Sequence, residues 1–373
     1  MKRIQFLSFF IGFLMIFLGC KGFAGDWNVT PHSPTYYPNS IAMSSNGGTI
    51  YVTEKHHSTS NYSGVVEQSI DSGKSWRNLE FGNLKTYRPV SVATSSNGHV
   101  IAVASINSDS ESQIYVDHNG KYTYQDTTDF KKISLSSIAM SSNGRTIAVV
   151  GNDKFGISVD GGKTWNLKAV DVQLTKLNLV AMSSSSTGHC NRIIVGGATN
   201  NGEGEIAISG NKGNSWTYIP FTEIASVNSV SMSSGGKYIV VAGDGAKGES
   251  YILESNDFGA NWGRVYNTEY YDINNVSVSD NGIIVIADRE KNDPNKLVVK
   301  KSTDSGKSWP IIHKTTGKHY SIFNNAAINQ TGDKVFFTES GKFLVYRPYN
   351  MGEGVYRPHW VTEYSGVIGT YNL

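Results

Sequence analysis

This 373-residue chain has little cysteine, little proline and little charge: 2 Cys, 9 Pro and 17% Asp, Glu, Lys and Arg together. Two thiols cannot build a disulfide scaffold, and a chain of this length buries a full core without one. Low charge with near-equal signs, 33 basic against 31 acidic residues, excludes an acidic disordered chain. A net charge of +2 leaves no basic excess for neutralising phosphates, so no nucleic-acid partner is expected. No long apolar run follows residue 24, so the body reads as water-soluble. What is abundant is glycine, 39 residues, with 20 Tyr and frequent Ser and Asn. That mixture predicts many short strands joined by tight turns, and excludes a helical bundle or a coiled coil.

Residues 1–24 read as a signal peptide. Lys2 and Arg3 precede an apolar run from Phe6 to Leu18, and Gly22-Phe23-Ala24 offers small residues for cleavage before Gly25. The run is shorter than the ~20 residues of a bilayer span. A second reading competes there: Phe17-Leu18-Gly19-Cys20 resembles a bacterial lipobox, with Phe where Leu is usual. Cys20 is then a lipidation site, and Cys190 is left without a partner under either reading. The protein is expected to be exported: periplasmic, outer-membrane-anchored or secreted. Residues 25–373 form one domain.

Internal repetition organises that domain. Ser40-Ile-Ala-Met-Ser-Ser-Asn-Gly47 recurs almost unchanged from Ser137, with a close copy from Ser91 and weaker ones from Leu179, Ser229, Asn275 and Asn325. The turn glycines are Gly47, Gly98, Gly144, Gly188, Gly236, Gly282 and Gly332, at gaps of 51, 46, 44, 48, 46 and 50 residues. Alternating apolar residues such as Ile138 and Met140 make a half-buried strand, and Asn143-Gly144 is a tight-turn signal. Thr146 to Val150 then returns as a nearly continuous apolar strand, packed on both faces.

A second motif follows in phase. Ser69-Ile-Asp71-Ser-Gly73-Lys-Ser75-Trp76 recurs from Ser158 with Asp160 and from Ser302 with Asp304. Ser255 to Trp262 keeps Asp257, Ser209 to Trp216 carries Asn211 instead, and in the second repeat Asp117 remains while Tyr122 takes the Trp slot. This motif resembles the Asp box of sialidases and many other β-propeller proteins. Its Asp accepts hydrogen bonds from the turn's own backbone, its Gly permits a positive φ, and the aromatic packs beneath. A carboxylate bound in that way is not free for acid–base chemistry, so the box residues are structural.

Both motifs together give four strands per repeat of ~45 residues, one propeller blade. The expectation is an all-β, seven-bladed β-propeller of four-stranded antiparallel blades. The last repeat departs from the pattern: Phe343 to Arg347 is its expected third strand, and no clean box precedes Trp360. Either Trp27 to Thr30 or His359 to Glu363 closes the ring, with the N-terminal strand favoured.

The regular turns fall on one rim, so binding is expected at the other, where second-to-third-strand loops and inter-blade links vary. Ligand-binding candidates there are His56, His57, Tyr87, Arg88, Tyr270, Tyr271, Asp272, Asp288, Arg289, His319 and Tyr320. A Tyr-rich rim with Arg and His suits a protein or a glycan. No metal, other cofactor or catalytic residue is assigned, since adjacent His56 and His57 point apart and have no evident third ligand. A monomer is expected, with membrane contact only through a lipid anchor.

Two functions compete. The resemblance to photosystem-assembly-factor and sortilin-like propellers implies a non-catalytic binding or assembly module. The alternative is a glycoside hydrolase of sialidase or xyloglucanase type. Sialidases carry an early Arg in a Phe/Tyr-Arg-Ile-Pro sequence and use three arginines. Here Tyr87-Arg88-Pro89 lacks the apolar residue, and the mature chain has only eight Arg. Any glycosidase mechanism needs two carboxylates at a set separation.

Overall fold

The computed structural model describes residues 27–31, 36–56, 62–79, 81, 86–125, 130, 133–170, 174–183, 192–199, 201, 203–268, 273–290, 293–314, 320–350 and 356–372. Of these it describes the backbone alone at 27–31, 121–125, 169, 175, 289, 290, 293–297, 320–324, 339–350 and 356–372. The signal segment and Cys20 therefore lie outside the described residues.

The chain forms an all-β propeller of antiparallel sheets. Six sheets are regular blades, each made from four consecutive strands, over residues 36–79, 88–125, 137–169, 174–220, 226–268 and 275–314. Blade three shows the local logic. Ser137–Met140 pairs with Ile147–Gly151, which pairs with Lys154–Ser158, which pairs with Asn166–Ala169. Its second strand is buried at every position because blades cover both of its faces.

The expectation of seven like blades is corrected here. Beyond the six regular blades, the remaining sheet is composite: Tyr320–Ile328, Lys334–Asn350 and Tyr356–Asn372, completed by the N-terminal strand Trp27–Pro31. Its two middle strands run 17 residues each and stay in register throughout. Phe343 to Arg347, expected as a third strand, continues the second instead, and His359 to Glu363 lies in the third. The N-terminal strand pairs outermost, with Trp27 opposite Tyr371. No Asp-type turn is needed where one long hairpin replaces two short ones.

Apolar clusters fill the spaces between blades. Phe130, Ile138 and Ile147 pack with Ala102, Ile114 and Val116 between blades two and three, and Phe155, Leu174 and Val195 pack between three and four. The innermost strands are tied across these boundaries by serine. Ser40 Oγ accepts the N–H of Val92 at 3.2 Å, Ser91 that of Ile138 at 3.3 Å, Ser137 that of Val180 at 3.3 Å and Ser229 that of Val276 at 3.2 Å. The first serine of the repeat motif is thus a link between blades. A backbone belt runs beside it: Ser45 N–H donates to Ser96 O, Ser96 N–H to Ser142 O, and Gln330 N–H to Ser45 O, which joins the composite sheet to blade one.

Candidate functional site

The carboxylates of the recurring turns are fully engaged. Asp71 Oδ1 accepts the N–H groups of Lys74 and Ser75 at 3.0 and 2.9 Å, and Oδ2 accepts the Ser75 hydroxyl at 2.5 Å. Ser69 donates to Asp71 and accepts the Gly73 N–H at 2.8 Å. The Trp76 indole N–H closes the unit on Gly73 O at 3.2 Å. Asp160, Asp257 and Asp304 repeat this geometry. Asn211 does so through Oδ1, with its amide donating to Ser215 Oγ. The donors hold these carboxyls at about 2: the Ser75 hydroxyl first at Asp71, the Asn261 N–H at Asp257, the Ser308 hydroxyl at Asp304. At Asp160 partial burial opposes the shift, and the Thr164 hydroxyl and N–H outweigh it. The two residues around each tip both take positive φ, as at Ser72 (61°) and Gly73 (84°).

Asp117 behaves differently from the motif alignment. It stands opposite Ile101, where Ser69, Ser158, Ser209, Ser255 and Ser302 stand opposite Ile50, Ile147, Ile193, Ile239 and Ile284. It therefore occupies the serine position, two residues before the box position. A two-residue Asn119-Gly120 turn follows, with φ of 55° and 80°, and leaves no loop for a carboxylate to bind. Asp117 is buried, and its Oδ1 has no hydrogen-bond partner among the described residues.

Both kinds of regular turn share one rim: Ser72 N–H donates to Gly48 O, Gly161 N–H to Arg145 O and Phe258 N–H to Lys237 O. The variable-loop rim is opposite. On it, the blade-one loop and the Tyr87-Arg88-Pro89 link meet. The Arg88 guanidinium lies 4.8 Å from the Tyr62 ring centroid. A Cβ at Gly64 would stand 2.3 Å from Pro89 Cδ, so only glycine admits this approach. His56 packs edge-on against Tyr36, and the Tyr87 hydroxyl accepts from Asn107 Nδ2 at 3.3 Å. Burial and the nearby Arg88 charge push the Lys55 ammonium down.

Asp288 is held inside the boundary of blades five and six. It accepts from Lys300 Nζ at 2.5 Å and from the Tyr266 hydroxyl at 2.8 Å, with its side chain 1% exposed. Burial first, and the Asp288 charge second, push the Tyr266 hydroxyl well up. Tyr266 also leans on Trp309, 5.0 Å between ring centroids. This trio locks two blades together and leaves Asp288 bound. Arg289 is the penultimate residue of the strand Ile284–Glu290 and Tyr320 the first of Tyr320–Ile328, both described by backbone alone. His57, Tyr270, Tyr271, Asp272 and His319 lie outside the described residues.

A cleft of about 660 Å³ lies on the variable rim between blades four and five. Thr199, Asn201 and Glu203 line it from the second-to-third-strand loop of blade four. Pro220 to Ala225 line it from the link to blade five, and Ala246 from the next loop. Glu203 and Glu223 are exposed, no Lys, Arg or His is among the lining residues, and Arg264 donates to Glu223 at 3.5 Å from beside the cleft. Glu205, also lining, is 5% exposed, and its Oε2 has no partner among the described residues. Burial, then the Glu203 charge, pushes its carboxyl up. Phe221 forms part of the wall, braced edge-on by Trp262. Sequence reasoning placed binding on this rim and missed these residues, because it searched for Tyr, Arg and His. The signal was the acidic Glu203-Gly-Glu205 loop followed by Glu223 in the next link. Among the described residues, no three His, Cys, Asp or Glu are grouped to hold a metal ion.

These features define a β-propeller with an acidic cleft on its irregular face. No known protein-family pattern matches the chain, and no curated protein does. Among solved structures, the chain is similar to the β-propeller domain of Cps50 (Swd1) from Myceliophteria thermophila. Identity there is 11% over 93% of this chain and 100% of that one, with a TM-score of 0.59. It is similar to the GH74 xyloglucanase of Xanthomonas campestris at 12% identity over 85% of this chain and 53% of that one, TM-score 0.58. YCF48 bound to a D1 peptide is similar at 13% identity over 93% and 97%, TM-score 0.54. At these identities the likeness is one of fold.

Proposed function

We propose that this protein is an exported, non-catalytic propeller that binds a protein partner through its variable-loop rim. The cleft between blades four and five carries the reading: Glu203 and Glu223 stand at an open groove walled by Pro220, Phe221 and Ile224, and Arg264 reaches Glu223 at 3.5 Å from outside the lining. Such a groove suits a segment that presents Lys or Arg beside an apolar residue. The Asp-box resemblance supports the same reading, because the turn carboxylates are consumed by their own backbones. Among the neighbours of like fold, YCF48 holds a peptide. The test is capture of partners by the mature chain beside its Glu203→Lys/Glu223→Lys variant and a Lys163→Glu control on the opposite rim. Retention lost only with the cleft variant supports the reading. Equal retention by all three overturns it.

A glycoside hydrolase is the second reading, favoured by one observation. Glu205, its carboxyl pushed up by burial, lines one cleft with Glu203 and Glu223, as a general acid and a second carboxylate must. Turnover of a fluorogenic glycoside, abolished by Glu205→Gln, establishes it.

A further inference from the structure

The regular-turn rim carries three exposed large apolar residues: Ile70 at 67%, Val159 at 50% and Phe258 at 45%. Each sits at the tip of an Asp-type turn. Ile70 and Val159 directly precede Asp71 and Asp160, and Phe258 directly follows Asp257. They belong to blades one, three and five, so they stand around the rim as a tripod rather than as one patch. A single exposed apolar residue is ordinary, and Phe258 also meets the Arg192 guanidinium, 5.1 Å from its ring centroid, but three at the turns of one rim form a shared feature.

Cations stand beside these tips. Lys74, Lys163 and Lys307 are exposed and directly follow Gly73, Gly162 and Gly306, while Arg145 and Lys237 are exposed on the adjoining hairpins. The turn aspartates face inward onto their own N–H groups. The rim's two exposed acids are likewise held, Asp280 by Ser234 and Asp333 by Asn329 and Thr331. This rim thus presents exposed apolar tips and exposed cations interleaved with hydrogen-bonded, ionised aspartates, whereas the cleft on the opposite rim is lined by acids alone among its charged residues.

The N-terminus leaves from the same side. Trp27 pairs with Tyr371, and Tyr371 with Val335, which directly follows the Asn329–Lys334 turn of the regular rim. Six residues separate Cys20 from Trp27, a span of roughly 25 Å at full extension. An acyl group at Cys20 would therefore hold this rim, and not the cleft, against the bilayer.

We propose that the regular-turn rim is a membrane-docking face for a bilayer containing anionic phospholipid. Ile70, Val159 and Phe258 enter the headgroup region, and the lysines meet lipid phosphate. Docked this way, the variable rim faces the aqueous compartment.

A chain beginning at Gly25 retains every described strand and has no acyl chain or signal segment, so it isolates the rim. In flotation with vesicles of phosphatidylethanolamine and phosphatidylglycerol, about tenfold more of this chain is expected in the vesicle fraction than with phosphatidylcholine alone. Ile70→Ser/Val159→Ser/Phe258→Ser should lower it to the phosphatidylcholine level with an unchanged melting temperature. Lys74→Ala/Lys163→Ala/Lys307→Ala should remove the preference for the anionic vesicles. The proposal is overturned if the chain floats with neither vesicle, or if both variants float as the unaltered chain does.

Discussion

The side-chain amide of Asn325 donates to the backbone carbonyl of Asn39 at 2.9 Å, across 286 residues of sequence. Asn275 Nδ2 donates in turn to Asn325 Oδ1 at 2.8 Å, and Ala326 N–H donates to Asn275 Oδ1 at 2.9 Å. Asparagine suits this place because it both donates and accepts, so it passes the chain of bonds from blade six through the composite sheet to blade one. Asn325→Ala removes two bonds at the closure of the ring and leaves partners half-buried. A loss of about 1–3 kcal/mol is expected, read by urea denaturation.

The turn aspartates predict a defined acid sensitivity. Their folded pKa of about 2 lies below the ordinary 3.8, so their stabilisation is complete above about pH 5 and is lost as pH falls through 4 toward 2. Asn211 shows that an amide fills the same role without titrating. Asp160→Asn should therefore leave the melting temperature at pH 7 nearly unchanged and flatten its decline below pH 4. Asp160→Ala should cost about 1–2 kcal/mol at pH 7, as loss of a comparable cap does.

The buried pair of Asp288 and Lys300 is expected to be intolerant of single changes. Asp288→Ala strands an ammonium and the Tyr266 hydroxyl between two blades, at a cost of about 3–5 kcal/mol. Replacing both, as Asp288→Leu/Lys300→Met, should recover most of that loss. Thermal unfolding of the three proteins side by side measures it.

Ser305 is exposed and holds φ at 54°, in a place where Gly161 serves blade three. An L-residue there pays roughly 1–2 kcal/mol in backbone strain, and glycine costs roughly 0.5–1 in lost freedom. Ser305→Gly should raise stability by about 0.5 kcal/mol, a shift in melting temperature of about 1–2 °C.

Much of the scaffold was legible because its signals are local. Asn143-Gly144 marks a turn without reference to anything else, and Ser158 to Trp165 contains its own hydrogen-bond partners. Asp117 was misaligned because motif spacing ignores strand register, and only its pairing with Ile101 shows that it fills the serine place. The composite sheet was partly hidden for a related reason: its order depends on Trp27 meeting Tyr371, a contact no local pattern encodes. The cleft was harder still. Glu203 and Glu223 belong to a loop and a link on opposite sides of a strand pair, and only the packing of blade four on blade five sets them at one groove.

Photocrosslinking from Thr222, exposed at the mouth of the cleft, tests the central claim most directly. A benzoylphenylalanine at position 222 should yield a discrete crosslinked protein species that disappears with Glu203→Lys/Glu223→Lys, while the same group at position 163 gives none. Loss of every specific crosslink at 222, together with glycoside turnover that Glu205→Gln abolishes, would contradict the account.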